Sequence, residues 1–249
     1  MSTDARPAGV PEIGHEHPDV TGGWLRPAVF GSIDGLVSNL ALITGVAGGV
    51  QGVGEAGGSR AVLLAGVAGL IGGAFSMATG EYISVASQSE AAEREIDKER
   101  REILHNPAGE TAELAQMYVD KGLDPALAAE VARQIHADVD NAVSVHAREE
   151  LGVDPGDLAS PRLAAVSSFV SFAAGALVPL LPYLFGAGAW SVLIAVGVTM
   201  LALFVCGAVV SRVTVRPWWY GGLRQVLAGA GSAAVTYAIG LLVGGVVTG

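Results

Sequence analysis

Residues 61–80 read AVLLAGVAGLIGGAFSMATG, and residues 81–105 read EYISVASQSEAAEREIDKERREILH. The first stretch is free of charge over about the 20 residues that a helix needs to cross some 30 Å of hydrocarbon. The second is rich in Glu and Arg, and no Gly or Pro intervenes before Asn106, so one helix is expected to run from an apolar medium into an aqueous one. Upstream, Pro27 to Val50 is apolar apart from Asp34, and the Gly-rich polar turn from Gln51 to Arg60 makes these two spans antiparallel. Downstream, no charge occurs between Arg162 and Arg212, and Pro179, Pro182, Gly186 and Gly188 divide that stretch into spans near 163–184 and 190–211. A fifth span is expected over about 225–249.

Composition agrees. The 249 residues are 51% hydrophobic and only 15% charged, where a soluble domain carries about 25% charged residues. Residues 87–161 hold 17 of the 24 acidic residues but 7 of the 14 Lys and Arg, so this segment carries the whole net charge of −10. An acidic chain of this kind is unsuited to nucleic acid, whose phosphates require clustered bases. The single cysteine, Cys206, excludes an internal disulfide and a thiolate metal cage.

The expected fold is all-α: a polytopic membrane protein with five transmembrane helices and a three-helix cytoplasmic insertion between the second and third. Asn106-Pro107 and Asp124-Pro125 are N-cap and first-turn pairs, and Gly122 and Gly152 sit where C-terminal glycines belong. The insertion helices are therefore placed near 86–105, 107–121 and 125–151. The corresponding units are a flexible tail at 1–23, two spans within 24–86, an acidic domain at 87–157 and three spans within 158–249. With the N-terminus inside, 13 of the 14 Lys and Arg fall on the cytoplasmic side and only Arg60 outside. Gly45 and Gly49, Gly69 and Gly73, and Gly240 and Gly244 repeat at four-residue spacing, which suits close helix packing within one chain or across a dimer seam.

Asp34 lies about 10 Å into the first span. A carboxylate in hydrocarbon costs about 2.5–3.5 kcal/mol at the bilayer centre and therefore marks an ion path by default. The antiparallel second span brings Met77 and Glu81, which share a helix face, to the same cytoplasmic depth. Two carboxylates with a thioether favour a first-row divalent ion such as iron over calcium or magnesium. In the insertion, Glu99 with Glu102, Glu110 with Glu113, and His146 with Glu150 are pairs at helical spacing that could each present two donors to one ion, although a solvated acidic face explains such residues taken singly. Glu102-Ile103-Leu104-His105 matches one Glu-x-x-His motif of di-iron bundles, which need two. In the tail, His15, Glu16, His17 and Asp19 read as solvated.

The segments Phe30-Gly31-Ser32-Ile33-Asp34-Gly35-Leu36, Gly73-Ala74-Phe75-Ser76-Met77 and Leu177-Val178-Pro179-Leu180-Leu181-Pro182-Tyr183 resemble the vacuolar iron transporter family, with the match extending over nearly all the chain after Trp24. The resemblance implies a homodimer with the ion path between subunits, proton-coupled export of ferrous iron or manganese from the cytosol, and an intramembrane site at Asp34 and Met77. It also implies a cytoplasmic site at Glu99, Glu102, Glu110, Glu113 and Glu150. Two positions depart from the plant members: Gly69 stands where they carry an intramembrane Glu, and His146 where they carry a Met. An imidazole at that place also suits zinc, cobalt and nickel.

The expectation is a transporter rather than an enzyme, with Asp34, Met77 and Glu81 in the path and the insertion collecting the ion. The metal is cargo, no cofactor is permanently bound, and the partners are a second copy, the lipid bilayer, metal ions and protons. The Ala- and Gly-rich composition points to a bacterial plasma membrane, with a vacuolar membrane as alternative. The alternative function is a membrane-anchored iron-binding or ferroxidase protein.

Overall fold

The computed structural model describes residues 23–51, 55–186, 188–213 and 216–248, so the tail residues His15 to Asp19 lie outside the described part. Leu25–Gly49 forms α1, and Glu55–His105 forms α2, an unbroken helix of 51 residues. At 1.5 Å per residue α2 is about 76 Å long, well over twice the hydrocarbon thickness. Pro107–Asp120 is α3, Pro125–Ile135 α4, Val139–Glu150 α5, Pro161–Leu177 α6, Leu181–Leu184 α7, Ser191–Val210 α8 and Trp218–Thr248 α9, with no strand among the described residues. Five segments are long and apolar enough to cross a membrane: Leu25–Gly49, part of Gly57–His105, Pro161–Leu184, Gly188–Val210 and Trp218–Val246. The third is broken by a 3₁₀ turn at Val178–Leu180, because Pro179 and Pro182 cannot supply helical N–H groups.

The central helix is α1, which packs against α2, α6, α8 and α9. Glycine makes this possible. A Cβ on Gly35 would overlap the Phe172 carbonyl, and one on Gly175 would overlap the Ser32 carbonyl, so α1 and α6 touch backbone to backbone. Further along α1, Gly45 and Gly49 lie against Gly240 and Gly244 of α9, which settles those two repeats as packing within one chain. Thr44 Oγ1, buried at that seam, donates to the Leu40 carbonyl at 2.9 Å and lies 3.1 Å from Thr236 Oγ1. Large apolar side chains cover the outside, Leu64 at 73% and Leu242 at 72% exposure, as a lipid-facing surface requires. Trp24, Trp190, Trp218 and Trp219 are exposed at helix ends, where an aromatic belt sits.

The charged insertion departs from the expected three helices. Its last stretch, expected as one helix over 125–151, divides between α4 and α5 at His136–Asp138. The cause is Asp138, whose carboxylate accepts from the N–H groups of Asp140 at 2.8 Å and Asn141 at 3.2 Å and so starts a new helix. Asn106 and Asp124 cap α3 and α4 as the sequence indicated, and Gly122 and Gly152 have φ of 98° and 66°. After the break α5 folds back on α2, burying Ala142 and Val143 against Ile103, and an Arg100–Asp140 ion pair of 2.7 Å joins the two helices.

The glycine contacts predict that Gly175→Ala lowers stability by about 1–3 kcal/mol through overpacking against α1. Gly197→Ala, where a Cβ meets nothing within 4 Å, leaves stability unchanged or raised by up to about 1 kcal/mol. Thermal unfolding of the two variants in detergent compares them directly.

Candidate metal centres

The first site lies between α1 and α2. Asp34, Ser38 and Asn39 from α1, with Met77 and Glu81 from α2 and Phe172 from α6, line a cavity of about 420 Å³. The space exists because Gly69, Gly73 and Gly80 give α2 no side chains along that wall. Met77 is half-buried against the cluster of Ala74, Phe172 and Ala176, which holds its thioether at the cavity edge. The Asp34 carboxylate is half-buried and accepts from Ser38 Oγ at 2.8 Å; among the described residues it has no ion-pair partner. Capping by an arginine is therefore not its role in the described part. The sequence put Asp34, Met77 and Glu81 at one depth, and the structure brings all three to one cavity. It missed Asn39, a buried amide whose only signal is its polarity within an apolar span.

The second site joins three helices of the insertion. Ligand atoms of Glu99 on α2, Glu110 on α3 and His146 on α5 lie within 4.8 Å of one another. His146 is 0% exposed, and its Nδ1 is 2.8 Å from Glu150 Oε1 and 3.0 Å from Glu99 Oε1. The first contact has hydrogen-bond alignment, whereas Glu99 Oε1 is buried without a hydrogen-bond partner. Burial, followed by the neighbouring charge of Glu150, pushes the Glu99 carboxyl up to about 7, against a smaller opposing pull from His146. Burial and then Glu113 raise Glu110 above the usual carboxylate range. A site that holds protons in this way releases them when a cation enters.

Of the expected pairs, Glu99 and Glu110 each contribute one ligand position, and His146 and Glu150 stay together. Glu102 and Glu113 stand outside the tight triad. Glu102 lies 4.0 Å from Lys98, and both act on the triad through their charge. His105, the second half of the Glu-x-x-His motif, is exposed at the end of α2 and is not a member of the triad, which leaves the di-iron alternative without its geometry. The sequence also missed His136. Its Nε2 lies 3.0 Å from His146 Nε2 with the rings edge to face, and burial followed by the charge of His146 pulls it below the usual histidine range. With His146 Nε2 engaged there, Nδ1 is the nitrogen directed at the carboxylates. The contact depends on the α4–α5 break, so the signal that could have found it is Asp138 read as an N-cap.

The chain matches the model of the VIT family over residues 25–241. It is 36% identical to the vacuolar iron transporter of Acanthamoeba castellanii, the alignment covering 92% of this chain and 83% of that protein. It is 30% identical to vacuolar iron transporter 1 of Oryza sativa subsp. japonica over 90% of this chain and 88% of the relative. Vacuolar iron transporter 1 of Arabidopsis thaliana is 31% identical over 78% of this chain and 76% of its own length. With the family match spanning all five apolar segments and the insertion between them, the chain belongs to the VIT family, and with it to the membrane-resident metal transporters rather than the enzymes.

Proposed function

We propose that the chain moves ferrous iron, and manganese beside it, out of the cytosol in exchange for protons. The observation that carries this reading is the meeting of Asp34, Met77 and Glu81 on one cavity within the apolar spans, with no described cation neutralising Asp34. Iron as cargo is supported by the names of the relatives and by a donor set that combines carboxylates with a thioether. Exchange suits carboxylates because the same oxygen can hold a metal or a proton.

The orientation proposed is cytosolic for the N-terminus and for the insertion, from the placement of Lys and Arg. On that side the triad of Glu99, Glu110 and His146, with Glu150 beside it, collects the ion, and α2 connects it to the cavity. Ser38, Ser76 and Gly80 line the cavity and are exposed at the outer surface of α1 and α2. A polar opening of this kind is poorly matched to lipid, which supports a second copy of the chain closing over it and a path between two subunits.

Asp34→Ala is expected to reduce pH-gradient-driven Fe²⁺ flux in proteoliposomes to the protein-free background; a wild-type rate would overturn the assignment. Glu99 supplies a second test. Its folded-state pKa near 7 lies above the ordinary value of 4.5, so the folded protein holds that proton more tightly than the unfolded chain does. The contribution of Glu99 to the stability of the metal-free protein is therefore greatest below about pH 4.5, falls as pH rises to about 7 and is level beyond, a loss on the order of 1–3 kcal/mol. Glu99→Gln should flatten that profile, followed by hydrogen exchange of the α5 amides, while weakening divalent-metal affinity roughly tenfold or more.

A further inference from the structure

Asn39 is 2% exposed, and its two amide ends are treated differently. Nδ2 donates to the Ala176 carbonyl at 2.6 Å, in the last turn of α6, where carbonyls run out of helical donors. A carbonyl only accepts, so the group facing it must be the NH₂, and the orientation of the amide is fixed. Oδ1 is thereby turned away from α6, and it has no hydrogen-bond partner although it is buried. It points to the wall of the intramembrane cavity at Gly69: a Cβ built there would stand 3.0 Å from Oδ1, with Leu42 Cδ2 as the other close neighbour. Buried acceptors are nearly always satisfied, and one left open at a cavity lined by two carboxylates and a thioether asks for a ligand.

We propose that Asn39 Oδ1 is a neutral ligand for the transported cation at a step of its path deeper in the cavity than Met77 and Glu81, which stand 8 and 12 residues, about 12 and 18 Å, further along α2 than Gly69. The inference rests on the reading of this cavity as the transport site. The chemistry is consistent: an amide oxygen coordinates a divalent ion without adding charge that would hold the ion too tightly to leave. The bare backbone at Gly69 leaves no side chain of its own against the oxygen. Leu42 is 38% exposed and flexible, so its side chain can swing aside as the ion enters.

The test is Mn²⁺ flux into proteoliposomes, with KM and kcat read separately. Asn39→Leu removes the oxygen; Asn39→Asp keeps an oxygen but loses the donor to Ala176 and adds a charge. The double variant Gly69→Ala with Leu42→Ala preserves the bond to Ala176 and relieves the Leu42 contact, while setting a methyl against Oδ1. Asn39→Leu and the double variant should raise KM about tenfold or more with the thermal midpoint of the double variant near wild type, and Asn39→Asp should lower kcat about tenfold or more as the added charge slows release of the ion. Leu42→Ala alone, which uncovers the oxygen, should not raise KM, so that a rise in the double variant reads the methyl at position 69. If Asn39→Leu does not fold, the double variant decides: a wild-type KM overturns the inference. An unchanged KM in these variants while Asp34→Ala abolishes flux sinks the role of Asn39 alone; wild-type flux in Asp34→Ala sinks the transport site with it.

Discussion

A carboxylate held in hydrocarbon is the constraint around which the rest of the molecule is arranged. Asp34 sits on α1, the helix that four others enclose, and its position depends on backbone contact rather than on side-chain packing. Glycines on both flanks of α1 bring α6 and α9 within van der Waals reach of its main chain, and glycines on α2 withdraw side chains from the third flank. The same residue type therefore closes two faces of α1 and opens the one where Asp34 stands. Helices in lipid lack a hydrophobic drive to associate, so small residues at such seams supply the contact area that holds the polar group in place.

The two acidic centres obey different rules. In the insertion, desolvation and mutual repulsion push the Glu99 and Glu110 carboxyls above the usual carboxylate range, and a buried imidazole adds a nitrogen donor. Within the apolar spans the donors are spread over two helices around open space. The insertion thus offers a compact set of donors from three helices, and the cavity within the spans a sparser set from two.

Much of this was legible because charge and glycine leave coarse marks. The five apolar segments, the caps at Asn106 and Asp124, and the common depth of Asp34, Met77 and Glu81 follow from residue type and helical rise alone. What the sequence left open were rotations and partners. Spacing placed Glu99 with Glu102 and Glu110 with Glu113, but only the roll of α2 and α3 about their axes decides which member of each pair meets His146. The glycine repeats declared a close approach without naming the neighbour. Asp138 carried the missing boundary, yet no Gly or Pro flanks it, and the periodic pattern runs on through it. Without that boundary His136 stays far along the same helix from His146 instead of against it.

The unbroken course of α2 has a mechanical meaning. Glu81 and Glu99 ride on one rod, 18 residues or about 27 Å apart. No hinge residue separates them, so bending cannot absorb a displacement at either end. A tilt of about 5° pivoting at Glu81 sweeps Glu99 through roughly 2 Å, the length of a metal–ligand bond. The two candidate sites therefore stand on one rigid element, and a tilt of α2 changes the spacing of Glu99 from α3 and α5 without bending the helix between them.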